Sequence, residues 1–178
     1  MPDVYVYSPV DGIITGRSNY CIPCPAPCSG DQGTHSTCRG WSSPVDVDAV
    51  DNEQVVLYVN SLVKSIRTFV ENRCCSAACG NDYRRAITVE LYGQLNANCL
   101  IGSVMYGHVS NPQVTHNTVY NLAGTSKILG NAPGGNCGTC YTGSHTHMER
   151  SGGSTVAPCC CVDTVKGSTA IYKWIGAC

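Results

Sequence analysis

The chain has 178 residues, a formal net charge of −1 at pH 7 and a charged fraction of 13%. These values predict one folded core, and they argue against both a basic nucleic-acid-binding surface and an acidic tail. The notable residues are 14 cysteines and 19 glycines against a single phenylalanine. This composition is typical of a loop-rich β protein, and no stretch reaches the roughly 20 apolar residues of a membrane span.

The even number of cysteines predicts a disulfide framework, which is typical of proteins in oxidising surroundings. We therefore expect an extracellular, cell-surface or virus-particle location. Two Cys-x-x-Cys pairs, Cys21 with Cys24 and Cys137 with Cys140, could instead close a structural zinc site. No secretory signal is visible at the N-terminus, so a processed N-terminus, an unusual export route, release from lysed cells or a thermophile cytosol would have to explain the oxidised state.

In chain order, residues 3–16 alternate β-forming side chains around Asp11-Gly12, which predicts a β-hairpin. A cysteine-rich loop region is expected to follow, up to residue 40. Later runs alternate apolar and polar residues, which predicts half-buried antiparallel strands. These runs are residues 53–69, 85–92 and 100–109, with a further strand at 168–175. Residues 61–70 also fit a helix, but we expect a strand there.

The Gly-rich stretch 130–150 ends with His145 and His147, two residues apart. On a β-strand, alternation places both imidazoles on one face, about 7 Å apart. Two rings so placed can share a metal, or one can bind the metal while the other transfers protons.

Residues 142–149 read TGSHTHME and resemble the last motif, roughly G-x-T-G-x-S-T-G-x-H-x-H-x-E, of the lysostaphin-type (LytM-like) zinc metallopeptidases, which cut peptidoglycan cross-links. Tyr106-Gly107-His108 is similar to the Tyr-x-His motif of that family. The resemblance covers residues 33–150 and implies an all-β, antiparallel LytM-like domain. Cys-rich extensions, a hairpin and loop at 1–32 and a tail at 151–178, are then expected on either side.

The first zinc motif of the family is His-x-x-x-Asp, within a pattern similar to RTHPxTGxxxFHxGVDI. Residues 33–47 read GTHSTCRGWSSPVDV, so the resemblance places Asp46 at the ligand aspartate and Ser42 at the ligand histidine. It further implies that Asp46 and His147 are zinc ligands and that His108 and His145 orient and deprotonate the attacking water. With two ligands zinc binding is possible but weak, or lost altogether. His35 is a candidate replacement ligand.

Two classes of function follow from this resemblance. The favoured one is a disulfide-stabilised, catalytically impaired LytM-like protein that serves as a structural, assembly or glycan-binding subunit of an extracellular filament, surface layer or virus particle. Its expected partners are copies of itself, other surface or virion subunits, or peptidoglycan or another glycan, but not nucleic acid. The alternative is an active zinc metalloendopeptidase that cleaves peptidoglycan cross-links. A third interpretation is a small secreted Cys-rich domain whose likeness to this family is coincidental.

Overall fold

The computed structural model describes residues 2–17, 41–72, 85–135, 143–157 and 163–176. These ranges form β-strands and no helix. The strands are β1 (Asp3–Tyr7), β2 (Gly12–Arg17), β3 (Ser42–Asp48), β4 (Gln54–Tyr58), β5 (Ser65–Asn72), β6 (Arg85–Tyr92), β7 (Leu100–Gly107), β8 (Thr118–Asn121), β9 (Ser126–Asn131), β10 (His145–Ser151), β11 (Ser154–Thr155), β12 (Thr164–Val165) and β13 (Ala170–Ile175). All pairings between them are antiparallel, which confirms the predicted all-β antiparallel class.

The largest sheet has eight strands in the order β12-β2-β3-β10-β7-β6-β5-β8. Residues that are paired directly across an antiparallel sheet point to the same face, so the register divides the side chains into two sets. The first set is apolar and buried. It includes Val45, Met148, Tyr106 and Ile87, each at most 1% exposed. This core face carries the hydrophobic interior.

The opposite face is polar and consists of rows of paired residues. One row runs from Asp46 through His147, Gly107 and Ala86 to Glu71. Further along the strands, a second row contains Glu149, Met105, Thr88 and Phe69, and a third contains Ser151, Ser103, Glu90 and Arg67. We call this the polar face, and it carries the candidate site.

Two smaller sheets, β1-β13-β11 and β4-β9, complete the fold. Tyr172 of β13 donates a hydrogen bond to the carbonyl of Ser43 at 2.8 Å and also contacts that of Met148 at 3.0 Å. Trp174 of β13 packs against Gly102, where a Cβ atom would lie 2.2 Å from the indole Nε1. Strands near both ends of the chain thus contribute to the same core as the large sheet.

The predicted hairpin over residues 3–16 is wrong in its pairing. Both strands form, but β1 pairs with β13, whereas β2 pairs with β3 and β12. Alternation identifies each strand correctly, yet it contains no information about which partner the strand takes. The strand expected at 61–70 is confirmed by β5, and the run 53–69 divides into β4 and β5, separated by a turn near Asn60.

Of the 14 cysteines, Cys99 alone lies in the described ranges, and it is disulfide-bonded. The other cysteines, with both Cys-x-x-Cys pairs, fall outside the described residues, so the wider disulfide framework and the structural zinc site stay predictions. Within the part of the chain that the structure describes, no helix is long and apolar enough to cross a membrane.

Candidate functional site

The candidate site is centred on Asp46 and His147, which face each other across neighbouring strands. Asp46 of β3 and His147 of β10 are directly paired, and Oδ1 of Asp46 lies 2.7 Å from Nδ1 of His147. Asp46 is 7% exposed. Gly107 of β7 is the pair partner of His147 on its other side, and a Cβ atom there would lie 3.2 Å from the His147 Cβ. The absence of a side chain at Gly107 therefore gives the imidazole its space.

A second carboxylate contacts the other nitrogen of the His147 ring. Oε1 of Glu149 lies 2.8 Å from Nε2 of His147, and Glu149 is fully buried. A buried carboxylate is costly unless it is paired with a positive charge. The His147 ring supplies that charge when it is protonated, because both of its N–H groups then donate to carboxylates.

The protonation of His147 is shifted by this environment. Burial of the ring lowers its pKa, but the hydrogen bonds with Asp46 and Glu149 and the charges of these two residues outweigh burial and raise it from 6.5 to about 9. In the absence of a metal, His147 is therefore an imidazolium at neutral pH. It forms a charged triad with one carboxylate on each side.

His145 and His108 complete the cluster. Nε2 of His145 lies 3.9 Å from Oδ2 of Asp46, and its Nδ1 lies 3.2 Å from the carbonyl oxygen of Gly143. The His108 ring lies edge-on to that of His145, with 4.9 Å between ring centroids, and its centroid is 6.1 Å from that of His147. His108 follows β7 directly and has a φ of +56°, an uncommon conformation for a residue with a side chain.

The structure thus brings together all four residues that the sequence singled out, namely Asp46, His108, His145 and His147. Their assigned roles as metal ligands and proton-transfer groups stay predictions. Glu149 belongs to the motif, but the family resemblance assigns it no role. Its position two residues after His147 places it on the same strand face, and that alternation was the available signal.

Ser42, at the predicted position of the lost ligand histidine, lies elsewhere on the sheet. Its hydroxyl donates to the carbonyl of Arg150 at 3.3 Å. Three residues of β3 separate it from Asp46, and it is paired with Arg150, whereas Asp46 is paired with His147. His35, the candidate replacement ligand, lies outside the described residues.

The described residues do not fit a zinc ion as they are arranged. Donor atoms about 2.0–2.1 Å from a tetrahedral zinc are about 3.3 Å apart, whereas Asp46 Oδ1 and His147 Nδ1 lie at hydrogen-bond distance, 2.7 Å. Both nitrogens of His147 are engaged by carboxylates. Among the described residues, no group of three or more His, Cys, Asp or Glu side chains could hold a metal ion.

Comparison with protein families, characterised proteins and solved structures finds no match for this chain. Chemically, the arrangement offers a buried imidazolium between two carboxylates, with two further imidazoles beside it. Such a cluster can hold charge and present hydrogen-bonding groups to a ligand on the polar face.

Proposed function

We propose that the protein is a catalytically impaired, LytM-like β protein that binds a wall polymer of the peptidoglycan type from an extracellular or surface location. The observation that carries this proposal is the direct hydrogen bond between Asp46 and His147. It engages the two side chains that the family resemblance assigns to zinc, and Ser42, at the sequence position of the family's ligand histidine, donates its hydroxyl to a backbone carbonyl instead.

The proposed location rests on composition. Fourteen cysteines are far more than a cytosolic enzyme usually carries, and Cys99 is disulfide-bonded. A role as an assembly subunit in a filament, surface layer or virus particle is the other form of the same proposal. It differs in partner, because copies of the chain would then replace the polymer.

A zinc endopeptidase is the second candidate. It is supported by the convergence of His108, His145 and His147 on Asp46, since these are the residues that the family resemblance assigns to zinc and water. The hydrogen-bonded Asp46–His147 pair counts against it, because a zinc ion would have to separate the two side chains first.

Metal content and polymer retention distinguish the candidates. We expect the purified, unchelated protein to contain far less than one zinc per chain. It should co-sediment with insoluble peptidoglycan equally well with and without EDTA, and it should release no new amino groups from the polymer.

Stoichiometric zinc that is lost in a His147→Ala variant, together with release of amino groups, would overturn the proposal in favour of the peptidase. Failure to co-sediment would refute polymer binding. Light scattering on the same samples then tests the assembly form, which requires a defined oligomer.

A further inference from the structure

A cavity of about 320 Å³ opens on the polar face, beside the His147 cluster. Thr88 belongs to its wall and lies in the same cross-strand row as Glu149, the residue that contacts His147. Met105 of β7 lies between Thr88 and Glu149 in this row. The volume of the cavity is at the lower end of ligand pockets, which range over about 300–1,000 Å³, so it suits one sugar ring or one amino-acid side chain.

Two aromatic side chains form part of the wall. Trp41 comes directly before β3, and Phe69, the single phenylalanine of the chain, lies on β5. Aromatic rings offer a flat apolar surface to the carbon skeleton of a ligand, and the face of a ring attracts a cation. These residues fit a ligand with an aliphatic or sugar body and a positive charge.

The charged residues of the wall are both acidic. Glu90 of β6 and Glu71 of β5 line the cavity, and no Lys or Arg is among its described lining residues. The hydroxyl of Tyr92 donates to Oε2 of Glu90 at 2.5 Å and holds this carboxylate in place. Arg67 is paired with Glu90 across the sheet but is not part of the lining.

The side-chain hydroxyl of Thr88 is an independent observation that favours a ligand in this cavity. The residue is 8% exposed, and its Oγ1 is buried without a hydrogen-bond partner among the described residues. An unsatisfied buried hydroxyl costs roughly 1–3 kcal/mol. To accept from a ligand in the cavity, this hydroxyl would have to turn towards it by a change of χ1 rotamer. Ser103, the pair partner of Glu90, adds a second hydroxyl to the same wall.

We propose that this cavity is a binding subsite for a primary ammonium group, which Glu90, Thr88 and Ser103 accept while the carbon skeleton lies against Trp41 and Phe69. An ammonium has three N–H donors, which matches one carboxylate and two hydroxyls. The second carboxylate, Glu71, contributes negative potential from the other end. The inference deepens the proposed polymer-binding role and rests on it for the source of the amine, either an amino sugar or a lysine-like peptide side chain.

NMR titration tests the subsite directly, with the full chain carrying ¹⁵N-labelled tryptophan. The probes are glucosamine and Nα-acetyl-lysine amide, and their neutral counterparts are N-acetylglucosamine and Nα,Nε-diacetyl-lysine amide. We expect at least one amine to shift the indole signal of Trp41 saturably. Trp174 is 4% exposed and packs on the core side, but its indole N–H donates to the carbonyl of Ser151, another lining residue, so we expect its signal to shift less than that of Trp41. The amine that binds identifies the source.

Three variants probe the acidic groups and one hydroxyl of the wall. Glu90→Gln is expected to weaken amine binding about tenfold or more, because it removes a charge-assisted hydrogen bond, and Glu71→Gln should weaken it less. Thr88→Val is expected to weaken binding while leaving the free protein as stable as before or more so, since the lost hydroxyl had no partner. Asp51→Asn, which removes one exposed charge from the turn before β4, is the charge-matched control and should bind normally.

Equal binding of the neutral counterparts, or no saturable shift with either amine, would refute the subsite. A Thr88→Val variant that loses stability and retains affinity would assign Thr88 a purely structural role and contradict the proposal. Because these probes are small molecules, failure here is separate from failure of polymer retention, which tests the proposed function alone.

Discussion

At the scale of single residues, the defining feature is the protonated His147 between Asp46 and Glu149. Each carboxylate alone would be costly to bury, and the shared imidazolium offsets that cost. The folded-state pKa of about 9 lies above the usual value of 6.5. The triad therefore stabilises the fold fully below pH 6.5, and this contribution is lost as the pH rises through 9.

We expect the chelator-treated protein to lose stability between pH 6.5 and 9.5, by up to about 3 kcal/mol for a shift of this size. Urea unfolding midpoints across this range measure the effect. Glu149→Gln should flatten the dependence, because it removes one of the charges that raise the His147 pKa. His116→Gln, at an exposed histidine, is the control and should retain the slope. A midpoint that is constant or rises over this range would contradict the prediction.

The site could be predicted from sequence only in part. Alternation along β10 and the motif resemblance together identified Asp46, His108, His145 and His147. The burial of Glu149 could not be predicted from the sequence, because it depends on which residues pack around that position. The cavity was also missed, since Phe69, Thr88 and Ser103 come from three strands whose register cannot be read from the chain.

At the scale of elements, the strands were predictable where alternation was strong, as in β6 and β10. Their partners were not, and β1 shows why. Val4 and Val6 mark a strand with one buried side, but any apolar surface would satisfy that pattern. Its partner strand, β13, lies 163 to 172 positions further along the chain.

A substitution at Gly102 of β7 tests how closely the two sheets pack together. A Cβ atom at this position would lie 2.2 Å from Nε1 of Trp174, so Gly102→Ala should displace the indole and destabilise the fold by about 1–3 kcal/mol. The control is Gly124→Ala, where a Cβ would meet no atom within 4 Å. Urea unfolding of the two variants checks this, and equal midpoints would show that the sheets are not so closely packed.

At the scale of the whole molecule, Tyr172 connects the small sheet to the large one. Its hydroxyl contacts two carbonyls, of Ser43 on β3 and Met148 on β10, and the side chain is fully buried. Burial also raises its pKa well above 10, so the hydroxyl remains a donor throughout the usual pH range.

Tyr172→Phe should cost about 1–3 kcal/mol, because two buried carbonyl oxygens lose their contact with the hydroxyl while the ring is retained. Tyr5→Phe is the matched control, since the Tyr5 hydroxyl donates to a part-buried carboxylate, that of Asp3. Calorimetric unfolding of both variants measures the difference. A loss in Tyr172→Phe no larger than in the control would show that the hydroxyl does not couple the sheets.

The pairing of β1 with β13 also determines the order of events during synthesis. On the ribosome, β1 is made long before its partner strand, since Ala170 of β13 comes 163 positions after Tyr7, with which it pairs. Until then Val4 and Val6 lack their final neighbours, and the nascent chain carries an unpaired strand edge that can associate with other chains. The core therefore cannot close until β13 has been made, and contacts between residues so far apart in the sequence form slowly.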